Sequence, residues 1–104
     1  MVQLQGAPER LDEALVFMRD EVVPRLQEAG GFKGIFSLVD RATGKLMAIS
    51  YWETIQDVER TRQLSEKLRG KAAEALGANF LAVEEYEVGQ RLDASGKATL
   101  HLQD

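Results

Sequence analysis

The stretch that decides the fold is Phe32-Lys33-Gly34-Ile35-Phe36-Ser37-Leu38-Val39-Asp40-Arg41-Ala42-Thr43-Gly44-Lys45-Leu46-Met47-Ala48-Ile49-Ser50-Tyr51-Trp52. Its two ends are rich in β-branched and aromatic residues, which suit a pleated, half-buried surface. Between them, Asp40-Arg41-Ala42-Thr43-Gly44 is a short polar connection with glycine at its end, as a hairpin requires. Two antiparallel strands, 32–39 and 45–52, are predicted.

Upstream, Leu11, Ala14, Leu15, Met18, Val22 and Leu26 recur at the spacing of one helix face. Pro8 suits the first turn, where its missing N–H needs no partner, and Gly30-Gly31 supplies a stop. Pro24 removes one backbone bond and clashes one turn back, so a kink near Asp20–Val23 or a short second helix is expected. Downstream, Thr54 is placed to cap a helix with Asp57 three residues on. Val58, Ser65, Leu68, Ala72 and Leu76 trace its inner stripe, Gly77 ends it, and Gly70 marks where it can break in two. A further strand runs from about Asn79 to Val88, and a short one from Val2 to Gln5 opens the chain. The order is βαββαβ, the split βαβ arrangement of a ferredoxin-like α+β sandwich with an antiparallel sheet.

The strands carry apolar residues on both sides. Phe32, Phe36 and Leu38 are assigned to one face, Ile35 and Val39 to the other. Leu46, Ala48 and Trp52 oppose Met47, Ile49 and Tyr51, while Phe80 and Ala82 oppose Leu81 and Val83. Two helices cover only one face, and each large side chain left in water forgoes roughly 1.5–3 kcal/mol. A second copy of the chain, paired sheet to sheet, covers the other most simply. The alternative is that the tail folds back over it.

Composition narrows the function. With 44% hydrophobic and 29% charged residues, the 104-residue chain reads as one globular domain. It has no cysteine, so disulfides, thiolate nucleophiles and Cys-based zinc sites are excluded. A net charge of −4 argues against nucleic acid or an anionic membrane as partner. No leader or membrane-spanning pattern is visible, which makes the cytoplasm the expected location. Glu84, Glu85 and Glu87 lack the mixed ligand set of a metal site, and the sole histidine, His101, has no companion carboxylate at a telling spacing. No metal or cofactor is expected. Residues 90–104 form a C-terminal extension. Asp93-Ala94-Ser95-Gly96 reads as a turn, and Ala98, Leu100 and Leu102 alternate with Thr99, His101 and Gln103. An edge strand added to the sheet is preferred over a mobile terminus.

Residues 1–89 resemble the antibiotic biosynthesis monooxygenase-like (ABM) proteins of the dimeric α/β-barrel superfamily. The matching features are Glu21-Val22-Val23-Pro24, Gly30-Gly31-Phe32-Lys33-Gly34, the hairpin running into Ser50-Tyr51-Trp52-Glu53-Thr54, and the closing Val83-Glu84-Glu85-Tyr86-Glu87-Val88. The resemblance implies a homodimer, two protomers forming one α/β barrel, with a cleft between sheet and helices in each. In enzymes of that family the cleft holds an aromatic polyketide-like phenol, oxidised with O2 without a cofactor, or a heme. Trp52 matches the Trp of both groups. The helix His of the heme-degrading relatives falls at Arg62, flanked by Gln63, and their strand Asn has only Gln3 or Gln5 as counterpart, so heme degradation is not expected.

The candidate site residues are Trp52, Tyr51 and Arg62. Trp52 either stacks on a flat ligand or anchors the core, and Tyr51 either bonds a phenol or places its hydroxyl at the sheet rim. Arg62 either holds a phenolate or carboxylate, or belongs to a solvated face with Arg60, Lys67, Arg69 and Lys71. The expected function is a dimeric domain binding a small apolar or aromatic ligand. The alternative is a cofactor-independent monooxygenase, in which Trp52 and Tyr51 pack the ring and Arg62 favours the ionised phenol.

Overall fold

The computed structural model describes residues 1–102; the Gln103 part of the predicted tail alternation lies outside them. Strand β1 (Val2–Gln5) leads through a short 3₁₀ turn at Pro8–Arg10 into α1 (Leu11–Phe17), a π-helical segment (Met18–Val22) and α2 (Val23–Glu28). Strands β2 (Phe32–Asp40) and β3 (Lys45–Trp52) follow, then α3 (Ile55–Arg60), α4 (Arg62–Leu76) and β4 (Asn79–Val83). The four strands form one antiparallel sheet in the order β2-β3-β1-β4. This is an α+β architecture compatible with the ferredoxin-like order predicted above. No helix among the described residues is long and apolar enough to cross a membrane.

The expected kink takes a specific form. Because Pro24 has no N–H, a regular α-helical bond cannot form there, and the N–H of Val23 reaches back five residues to the Met18 carbonyl instead. Pro24 then sits in the first turn of α2. Leu11, Ala14, Met18, Val22 and Leu26 all end up buried against Leu4, Leu46, Leu68 and Leu76.

The second helical run breaks at Thr61 rather than at Gly70. Thr61 is buried, and its hydroxyl donates to the Asp57 carbonyl at 2.7 Å. Gly70 lies in open space and α4 passes through it, held by the buried Leu68, Ala72, Ala73 and Leu76. The capping box forms as predicted: Asp57 N–H donates to Thr54 Oγ1 and Thr54 N–H to Asp57 Oδ2, each at 3.1 Å. Arg60 extends it into a latch, donating to Asp57 Oδ1 at 2.6 Å and to the carbonyls of Ala29 (2.5 Å) and Gly30 (3.1 Å) past the end of α2. Gly77 closes α4 in the left-handed conformation, with φ of 64°.

Four strand assignments need correction. A bulge at Lys33 shifts the register between Phe32 and Gly34, so Phe32 pairs with Trp52 and packs with Ile35 and Val39 rather than with Phe36 and Leu38. A second irregularity, which skips Leu81, breaks the simple alternation in β4. The last strand also stops at Val83 instead of Val88. Its pairing ends where Met1 and Glu84 exchange backbone bonds of 2.7 and 2.8 Å, and the next residues have no sheet neighbour. The extension is not an edge strand of this sheet. It forms its own hairpin, β5 (Gln90–Leu92) with β6 (Ala98–Leu100), across the predicted turn.

Candidate functional site

The register sorts the sheet into two faces, because directly opposed residues in an antiparallel pair point the same way. Toward the helices lie Val2, Leu4, Ile35, Val39, Leu46, Ala48 and the Phe32–Trp52 pair, all within or against the core. The outer face carries Phe36 opposite Ile49, Leu38 opposite Met47, Tyr51 opposite Gly34, and Gln3 between Met47 and Ala82. Nothing among the described residues covers it: Phe36 is 60% and Leu38 55% exposed. At one end of this face Asp40 pairs with Lys45. A centre free of charge with an aromatic anchor is the composition of an interface core.

The three candidate residues do not converge. Trp52 lies on the helix side, half-buried, its ring edge-to-face with Phe32 at 5.4 Å and 67°. Tyr51 lies on the outer face, over Gly34 and edge-to-face with Phe36 at 5.5 Å. An added Cβ on Gly34 would come within 3.0 Å of the Tyr51 ring, so the glycine makes room for it. Arg62 opens α4 and forks onto the Glu85 carboxylate, its Nη2 donating to Oε2 at 3.3 Å and its Nη1 to Oε1. That bond holds the Glu85 carboxyl below its ordinary range. The pairing of residues 23 positions apart has no sequence signal.

Two shallow depressions lie on the surface, and neither is lined by Trp52, Tyr51 or Arg62. One, of about 280 Å³, lies between the first helical run and α4, lined by Phe17, Asp20, Glu21, Pro24, Arg25, Leu68 and Lys71. The other, of about 250 Å³, lies on the C-terminal hairpin beside Arg91, Asp93, Lys97 and Thr99. His101 is exposed just past β6. Among the described residues no group of three His, Cys, Asp or Glu side chains is placed to hold a metal ion.

No family model matches the chain, and no solved structure matches it. It is similar to two uncharacterized proteins of Mycobacterium tuberculosis (strain H37Rv). Rv2557 is 36% identical over 85 residues, which is 82% of this chain and 38% of the relative. Rv2558 is 33% identical over 85 residues, 82% of this chain and 36% of the relative. The chain therefore spans little more than a third of the length of the curated relatives it matches.

Proposed function

We propose that the chain is a self-associating domain: two copies close over the outer faces of their sheets, and each takes a small apolar or aromatic ligand between sheet and helices, beside the Trp52–Phe32 pair. The observation that carries the reading is the uncovered face, with Phe36 and Leu38 more than half exposed beside Met47, Ile49 and Tyr51. A contiguous apolar patch of this kind usually marks an interaction site. The strand order accords with the ABM-like resemblance, and the matched relatives are long enough to hold a second unit of this size.

Binding is favoured over cofactor-free oxidation with O2 on geometry. The oxidative reading asks Trp52, Tyr51 and Arg62 to surround one substrate, yet within a protomer they lie on the inner face, on the outer face and against Glu85. Binding asks only for Trp52 with Phe32.

The decisive test of assembly is light scattering at micromolar concentration. Wild type is expected at twice the chain mass, and Phe36→Asp at the chain mass with an unchanged circular dichroism spectrum. A monomeric wild type overturns the reading. The ligand is tested through Trp52, the chain's one tryptophan. Its fluorescence is titrated with hydroxylated polycyclic aromatics while oxygen uptake is followed. Saturable quenching without uptake supports binding, and uptake lost in Trp52→Phe and Arg62→Ala would restore the monooxygenase.

A further inference from the structure

From Glu85 to Leu102 every residue is exposed. The hairpin register divides this arm into two sides: Gln90, Leu92, Ala98 and Leu100 share one, Arg91 and Thr99 the other. A bond of 2.9 Å from His101 N–H to the Gly89 carbonyl carries the pairing one step further. Period-two alternation then adds Val88 and Leu102 to the side of Leu92 and Leu100. Arg91, Asp93, Lys97 and Thr99 border a common polar depression, which confirms the sorting. The arm is an amphipathic ribbon whose apolar side stands in water, with Leu102 80% exposed. A lone two-stranded hairpin is marginal in water, so this ribbon needs a surface to lie on.

The surface area points to a second copy as that surface. The chain exposes 7135 Å², about 1,300 Å² more than the surface expected of a compact protein of its mass. Its radius of gyration is 14.6 Å, against about 13 Å for a compact chain of this length. Apart from Val16 and Ile55, the large apolar side chains exposed among the described residues all belong to β2, β4 or the arm. Over two copies the excess comes to roughly 2,600 Å², within the range of permanent homodimer interfaces.

We propose that residues 85–102 are an exchange arm: in the dimer, the apolar side of each ribbon lies across the β2 margin of the other copy, over Phe36 and Leu38. This rests on the face-to-face dimer proposed above. The arm springs from β4, at the opposite edge of the sheet from β2, so its own β2 lies about 14 Å away across the strands. A two-fold axis running along the strands sets each β4 over the other copy's β2, where Phe36 and Leu38 are the most exposed large apolar side chains of the sheet. The exchange is self-complementary and closed, leaving no ribbon free to recruit a third chain.

The natural absence of cysteine makes the test clean. Full-length Leu38→Cys and Leu100→Cys chains, one carrying a mass tag, are mixed, unfolded, refolded together and mildly oxidised. Light scattering is run on the same mixture before oxidation. The expected result is a disulfide-linked heterodimer several-fold more abundant than either linked homodimer. A dominant Leu38→Cys homodimer means the axis crosses the strands, and overturns the arm while the dimer stands. So does a dimer by light scattering that forms no heterodisulfide. A monomer by light scattering overturns both.

Discussion

Among the described residues the chain builds two hairpins, each turned by an aspartate and a glycine of positive φ. In the first, the Gly44 N–H returns to the Asp40 carbonyl at 2.9 Å and Asp40 Oδ1 accepts from Ala42 N–H at 3.0 Å. In the second, Gly96 N–H returns to the Asp93 carbonyl at 3.0 Å, and Asp93 Oδ1 accepts from the N–H groups of Ser95 (3.0 Å) and Lys97 (2.9 Å). Yet β2 and β3 run for nine and eight residues and close on the helices, whereas β5 and β6 run for three each and close on nothing. Turn chemistry sets the register of a hairpin. Burial decides how far the strands extend and whether they hold.

Matched substitutions can break that contrast. The largest difference is expected between Leu46→Ala and Leu100→Ala. Leu46 is fully buried, so its truncation lowers the unfolding free energy by about 2–5 kcal/mol in urea. Leu100→Ala leaves the unfolding free energy of the dilute chain within about 0.5 kcal/mol of wild type and weakens self-association instead. Equal losses would mean that the arm is already part of the core.

The two turn glycines come next. Both have positive φ, 82° at Gly44 and 88° at Gly96, but a Cβ on Gly44 would lie 2.1 Å from the Gly6 carbonyl oxygen while one on Gly96 meets nothing. Gly44→Ala is expected to cost more than about 1 kcal/mol of global stability. Gly96→Ala adds only local strain, read as faster amide exchange in 90–100 with an unchanged melting curve. A smaller loss, about 1 kcal/mol, is expected for Thr54→Ala, which removes the cap of α3.

The smallest effect is one of pH. The Ser95 hydroxyl and the Lys97 and Ser95 N–H groups hold the Asp93 carboxyl below its ordinary range. A depressed folded pKa stabilises above the unfolded value, about 3.9, and that support is lost as pH falls through the folded value. The arm's amide signals should therefore lose dispersion below about pH 3.9 while the body keeps its own, and Asp93→Asn should remove the step. At Asp57 the bond from Arg60, followed by that from Thr54, depresses the carboxyl in the same sense. Its titration should instead shift the global melting midpoint, seen as a step that Asp57→Asn lacks.

Element order, the Thr54–Asp57 cap, the Gly77 stop and the turn at 93–96 were legible in the sequence because each rests on a local preference of one or two residues. The bulges at Lys33 and Leu81 were not, since a bulge is a property of two strands in register, and it is the first that moves Phe32 to the inner face. Gly70 misled because propensity alone marks it as a breaker, while burial of Leu68, Ala72 and Leu76 carries the helix through. Alternation beyond Val83 looked like more strand, but alternation does not supply a neighbour to pair with. Trp52 and Tyr51 were separable from the start, as adjacent residues of one strand. The Arg62–Glu85 fork joins elements that only the tertiary fold brings together.

The π-helical segment has a consequence for how the first helix meets the sheet. Leu11, Ala14, Met18, Val22 and Leu26 advance by steps of three, four, four and four, fifteen residues in four turns. At 3.6 residues per turn, a straight helix would let that stripe drift sideways around its axis. One wider turn takes up the surplus and returns Val22 and Leu26 to the line set by Leu11. Pro24 is thus a phase lock: with a residue there that can restore the regular bond, the helix gains a way to straighten, and its last turn would rotate its leucine off the sheet.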